Sequence, residues 1–296
     1  MKFKFWGVRG SIPTPGPHTV KYGGNTTCIQ VTNSSNDLLI LDAGTGIFSL
    51  AQSLNSQAPI TAHLLMTHTH WDHIQGLPFF LPIFYANNEI NIYGGRDFDT
   101  RQGIERALTM QLQHSFFPIT EQQLQANINY HTLHPLKSIQ IGNSKITPVL
   151  LNHPVINLGY RIDDTDGSSL FFTGDYEPPF NPYPESHWQY AKQQASIESQ
   201  LQTTLNAISQ VDALIVDSSY TEQEYPSKTG WGHGTFGQAI DMANMTGCKQ
   251  LFFTHHDPAR RDSELEVIYQ QVIQDNHGAG FEMFLAREGD EYVLGG

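Results

Sequence analysis

Residues 67–73 read THTHWDH, three histidines and an aspartate within seven positions directly behind the apolar run Leu64, Leu65, Met66. Side chains two apart on extended backbone point to the same side, so His68 and His70 can converge on one cation. Asp72 and His73, in the turn that follows, can reach a second. Imidazole nitrogens and carboxylate oxygens without cysteine suit zinc, manganese or iron(II), with zinc the default. A lone histidine is ordinarily a core or surface residue, whereas four ligand-type residues in the pattern H-x-H-x-D-H behind a buried strand point to a metal.

Such a cluster needs a rigid support, and the chain supplies the signs of one. Short apolar runs alternate with glycine-rich turns and helical segments, the pattern of a layered α/β protein. Strands are expected at 2–8, 27–32, 37–41, 61–66, 146–151, 169–173, 212–216, 249–254 and 291–294. Apolar residues spaced i, i+3, i+4, i+7 predict helices over 235–246 and 263–275, the second with a capping box from Ser263 to Glu266. Prolines 178, 179, 182 and 184 predict a fixed loop, followed by a Gln-rich helix from about Trp188 to Ile208. The polar, Gln-rich stretch 96–145 reads as an insertion of one helix plus loops. With no linker composition, 1–296 is expected to form one domain carrying that insertion and the 177–210 loop and helix.

Composition narrows the function classes. At 39% apolar residues the chain can fill a sizeable core, and a formal net charge of −13 repels polyanions at long range. DNA is therefore not expected as a partner, and the charge argues against RNA as well. No basic segment precedes an apolar stretch at the N-terminus, and no apolar run approaches a membrane-spanning length, so a cytoplasmic protein without membrane contact is expected. Cys28 and Cys248 then read as reduced core thiols.

The THTHWDH cluster resembles the signature of the metallo-β-lactamase fold hydrolases. That resemblance implies a four-layer αββα sandwich of two mainly mixed β-sheets, with metals at one edge. It also implies further ligands at later strand ends, where His153 follows ITPVLLN, Asp175 closes LFFTGD and His255 closes QLFFTH. By resemblance His68, His70 and His153 would hold one metal and Asp72, His73 and His255 another, with Asp175 bridging both. Asp42 in LLILDAGTG would orient the ligands. Either His255 or its neighbour His256 could fill the last position, and His255 is preferred because it directly ends the strand.

The segment VDSSYTEQEYPSKTGWGHGTFGQAIDMA resembles the ribonuclease Z and phosphoribosyl cyclic phosphodiesterase branch, with Asp217 and His233 at the acid and histidine positions. Ribonuclease Z carries glutamate where this chain has Asp217. An alkoxide leaving group needs a proton, which a histidine oriented by a carboxylate can supply. WGVRGSIPTPG and YGGNTTC also look like this branch, where the first loop borders the pocket, so Arg9, Gly24 and Asn25, with Gly23, would meet a phosphate.

The resemblance thus implies a hydrolase with two divalent ions per chain, zinc first and manganese or iron as alternatives. It would cleave a small cyclic nucleotide or cyclic phosphate ester, with Asp72, Asp217 and His233 as catalytic residues. A homodimer is compatible with this reading. Competing readings are tRNA 3′ processing, lactone or thioester hydrolysis, and a non-catalytic nucleotide-binding protein of the same fold.

Overall fold

Continuous apolar runs build two sheets whose central strands are buried on both faces. In β3 (Leu38–Leu41), Leu39 and Leu41 enter the central core while Ile40 enters an outer one. In β11 (Ala213–Asp217), Ala213 and Ile215 face the centre, and Leu214 and Val216 the opposite outer layer. Strands covered on both sides read as continuous apolar runs, which is why LLIL and ALIV show no polar partner positions. The computed structural model describes residues 1–54, 58–97 and 100–295.

The first sheet has seven strands in the order β14 (Glu291–Val293), β1 (Lys2–Gly7), β2 (Cys28–Thr32), β3, β4 (Thr61–Leu65), β5 (Glu89–Gly94) and β6 (Asn127–Thr132). The second, also of seven, runs β13 (Glu282–Leu285), β12 (Gln250–Thr254), β11, β10 (Ser169–Phe172), β9 (Asn157–Asp164), β8 (Ser144–Leu151) and β7 (Ile139–Ile141). Each sheet is half antiparallel and half parallel: β3 to β6 run parallel in one, β10 to β13 in the other. Between them lie Phe3, Phe5, Tyr160, Phe172 and Phe252. The outer face of the first sheet is covered by α1 (Gly46–Ser53) and α3 (Ile104–Met110). The second is covered by α4 (Tyr190–Ala207), α5 (Phe236–Thr246) and α6 (Asp262–Asp275). The αββα layering implied by the resemblance is the one found.

Five strands were not expected: β5, β6, β7, β9 and β13. The stretch 96–145, of which 98 and 99 lie outside the described residues, carries an edge strand for each sheet as well as α3. The capping box of α6 also sits two residues earlier than Ser263, with the Glu264 carboxylate accepting from the Arg261 N–H at 2.7 Å. Cys28 and Cys248 are buried free thiols. No described helix is long and apolar enough to cross a membrane.

Candidate metal centre

The candidate residues leave the C-terminal ends of neighbouring strands. Asp42 follows β3, His68 and His70 follow β4, Asp175 follows β10, Asp217 ends β11 and His255 follows β12. Asp72 and His73 sit on the single turn α2 (Trp71–Ile74), and His153 lies two residues beyond β8. Asp42 and His255 adopt positive φ values of 60° and 59°, a conformation in which Asp and His are more at home than most side chains. Such strain persists where the surroundings fix it, and here it turns both side chains inward at the sheet edge.

His68 Nε2 lies 3.0 Å from His70 Nδ1, which lies 3.1 Å from His153 Nε2. Each outer ring has its other nitrogen engaged: His68 Nδ1 with Thr67 Oγ1 at 3.1 Å, His153 Nδ1 with the Gly232 carbonyl at 2.9 Å. Those contacts put the ring protons on Nδ1 and leave Nε2 lone pairs facing one point. Burial lowers the pKa of all three histidines, so they are neutral imidazoles, the form that binds metal.

A second group forms a closed ring of ligand atoms. His73 Nε2 lies 3.3 Å from Asp72 Oδ2 and 3.0 Å from Asp175 Oδ1; His255 Nε2 lies 3.2 and 3.0 Å from the same two oxygens. The other oxygen of Asp175 faces the first group, 3.5 Å from His68 Nε2 and 3.8 Å from His153 Nε2. Asp175 therefore stands between the groups with one oxygen toward each. Burial opposes charge on Asp175, yet His255, His73 and His68 hold its carboxyl well below the usual carboxylate range. Burial likewise opposes charge on His73, and Asp175, Asp72 and Asp42 outweigh it to push the ring well above its usual value.

Divalent cations fit these residues. His73 Nε2 and Asp175 Oδ1 are both buried without a hydrogen-bond partner although only 3.0 Å apart. Leaving such atoms unsatisfied costs about 1–3 kcal/mol each, a cost that a shared cation removes. Among the described residues, His68, His70, His153 and Asp175 place ligand atoms within 4.8 Å of one another, as do Asp72, His73, Asp175 and His255.

Asp42 is held as an orienter would be. Its carboxylate accepts from the Thr67 N–H at 2.7 Å and the Thr67 hydroxyl at 2.8 Å, and meets His73 Nδ1 at 2.8 Å. Because Thr67 Oγ1 also meets His68 Nδ1, one buried carboxylate orients a histidine in each group. His255 Nε2 faces Asp72 and Asp175, whereas His256 Nε2 is bound to the Ala286 carbonyl at 2.8 Å.

Beside the second group, His233 Nδ1 meets Asp217 Oδ2 at 2.7 Å, and the His233 ring stacks on that of His255 with centroids 4.8 Å apart. Burial works against a charged His233, but Asp217 and Asp175 push its pKa up to about 9. Ser219, unnoticed in the sequence, lies 2.8 Å from Asp217 Oδ1 and 3.1 Å from His255 Nδ1, tying the two residues together. His70, Trp71, Asp72, Asp175 and His233, with Ser11 and Thr69, line an open cavity of about 410 Å³. Trp71 is 81% exposed at its mouth.

The residues expected to meet a phosphate are spent elsewhere. Arg9 is fully buried, its guanidinium donating to the carbonyls of Gly23 at 2.8 Å and Arg260 at 2.7 Å. The glycine turn is filled by the chain's own anion: the Glu288 carboxylate accepts from the Asn25 N–H at 2.6 Å and its side-chain amide at 3.0 Å. Gly24 is packed against Thr14, whose carbonyl would lie 2.6 Å from an added Cβ. The same loop instead serves the candidate centre through Ser11, whose N–H donates to Asp72 Oδ2 at 2.7 Å. Gly10 lets it pass, since a Cβ there would meet the His255 ring at 2.3 Å. Sequence alone gave no sign that a carboxylate 263 positions away would occupy the turn.

Comparison with known proteins agrees with this architecture. The family model described as a beta-lactamase superfamily domain matches residues 38–256. Ribonuclease Z of Staphylococcus haemolyticus (strain JCSC1435) is 21% identical over 99% of this chain and 100% of its own length. Human tRNase Z, short form, superposes with a TM-score of 0.67 at 17% identity, covering 99% of both chains. The metallo-beta-lactamase fold protein YhfI of Bacillus subtilis gives a TM-score of 0.66 at 19% identity, covering 98% of both. The ribonuclease name removes the footing of the expectation that charge argues against RNA.

Proposed function

This chain belongs to the beta-lactamase superfamily and is a metal-dependent hydrolase, and on that premise we propose that it is a dinuclear phosphodiesterase. His68, His70 and His153 would hold one divalent ion and Asp72, His73 and His255 the other, with Asp175 shared. Two such ions supply Lewis-acid stabilisation of the phosphoryl oxygens and lower the pKa of an attacking water. Zinc is the first candidate, manganese and iron the others.

The observation that carries the phosphodiester reading is the His233–Asp217 pair at 2.7 Å on the wall of the cavity. Asp217 engages Nδ1, which leaves Nε2 as the atom that gives a proton to the departing alkoxide. Thioesters make less use of such a donor, since a thiolate leaves without one. Asp72, fixed by the Ser11 N–H, acts with this pair as the catalytic carboxylate. Arg9, Gly24 and Asn25 support the loop behind it.

A small cyclic nucleotide or cyclic phosphate ester is the preferred substrate, because the cavity of about 410 Å³ falls in the range of small-molecule sites. A tRNA 3′ end is the second reading, favoured by full-length similarity to a protein named ribonuclease Z. Protein loaded with manganese or zinc is to be assayed on bis-p-nitrophenyl phosphate, a cyclic-nucleotide panel, a precursor tRNA with a 3′ trailer, a lactone and a thioester. Turnover of only the last two sinks the proposal. His233→Ala is expected to slow diphenyl phosphate, with its poor leaving group, on the order of 10²-fold more than bis-p-nitrophenyl phosphate. Equal losses on both esters remove His233 as the proton donor.

A further inference from the structure

Glu177 lies two residues beyond Asp175, is only 2% exposed, and touches neither ligand group. Its carboxylate is saturated by the turn that carries His233. Oε1 accepts from the Gly230 N–H and the Tyr225 hydroxyl, each at 2.8 Å, and Oε2 accepts from the Gly232 N–H at 2.8 Å. Among the described residues no cation pairs with it, so its side chain is committed to holding the turn in place. Three such hydrogen bonds fix one conformation of a turn rich in glycine.

That turn is fastened to both halves of the centre. Gly232, at φ +91°, accepts from His153 Nδ1 through its carbonyl, and an added Cβ would lie 2.4 Å from that nitrogen. The next residue, His233, reaches Asp217. At its other end Glu177 is locked to Asn152, the neighbour of His153, by its N–H to the Asn152 carbonyl at 3.2 Å and by the Asn152 amide to its own carbonyl at 3.0 Å.

We propose that Glu177 is a positioning residue that sets the register between the proton donor His233 and the ligand His153 by clamping residues 230–232. The inference rests on the reading of His233 as donor, and its test separates the two. Metal-loaded Glu177→Ala, Glu177→Gln, His233→Ala and the double variant Glu177→Ala/His233→Ala are compared on bis-p-nitrophenyl and diphenyl phosphate, with bound metal measured by emission spectroscopy. Gln keeps the volume but turns an NH₂ toward a backbone donor, so it breaks the clamp without opening the cavity that Ala leaves.

Both Glu177 variants are expected to lose on the order of 10²-fold more on diphenyl phosphate than on the activated ester, the scale set by misplacing a reacting group by about 1 Å. In the double variant the Glu177 change adds no further discrimination, because the two residues act as a unit. If His233→Ala discriminates between the esters and the Glu177 variants do not, or if the double variant shows the product of both factors, the positioning role falls alone. If His233→Ala does not discriminate, the donor reading falls and takes this inference with it.

Discussion

At the scale of single residues, the candidate centre is a problem of which nitrogen of each ring carries its proton. Asp42 settles this for two rings, directly for His73 and through the Thr67 hydroxyl for His68. An asparagine there would present an NH₂ toward one of these donors and leave at least one ring free to turn. Partners of this kind are worth 10- to 100-fold in metal affinity. Asp42→Asn is therefore expected to weaken both ions by about that factor, read as the free-metal concentration at half occupancy in a chelator-buffered titration. Unchanged occupancy of both would remove Asp42 from the role of orienter. The ligand types were legible in the sequence because chemistry restricts them to His and Asp at strand ends. Thr67 and Ser219 were not, since a hydroxyl beside a ligand has no pattern that separates it from any other, and Glu177 acts on main chain, which leaves no trace in side-chain spacing.

Among the elements, unbroken apolar runs were the legible ones, and β5, buried beyond its first residue, was missed because Asn91 and Tyr93 interrupt its apolar positions. β3, β10, β11 and β12 are covered on both faces and read as unbroken apolar runs, whereas β6 lies at a sheet edge with no fully buried residue and carries polar side chains among its apolar ones. β9 was hidden differently, because Leu158, Tyr160 and Ile162 face the core while Gly159, Arg161 and Asp163 between them resemble a turn. The loops beyond β11 and β12, which present Asp217 and His255, are joined by an ion pair between Glu224 and Arg260 at 2.6 Å. That hydrogen bond from Arg260, against partial burial, holds the Glu224 carboxyl down at about 2 from an ordinary 4.5. A depressed folded pKa contributes stability above the unfolded value and loses it as pH falls from there toward the folded one. Glu224→Gln is thus expected to lower the thermal midpoint at pH 6 by more than at pH 3.5, with the gap between the proteins narrowing below pH 4.5 and closing toward pH 2. A gap independent of pH would show that the contact acts through packing rather than charge.

For the molecule as a whole, the proposed ligands are divided between the sheets: His68, His70, Asp72 and His73 hang from the first, His153, Asp175 and His255 from the second. Ions held there fasten the two layers at one edge, while the aromatic core around Phe252 fastens them along their faces. The core alone is large, so the fold is expected to persist when metal is removed. What is lost is the binding free energy, since a ligand that binds only the folded state at 100 times its dissociation constant stabilises it by about 2.7 kcal/mol per site. Dialysis against a chelator is accordingly expected to abolish hydrolysis and lower the thermal midpoint on the order of 5–10 °C, with the far-ultraviolet circular dichroism unchanged. Restoring zinc or manganese should recover the midpoint and the activity together, because the same seven side chains provide both. Recovery of the midpoint at half the metal needed for activity would mean that the two groups fill in sequence, and that one ion suffices to fasten the sheets while the second is required for turnover. A midpoint indifferent to the chelator would separate the centre from the stability of the fold altogether.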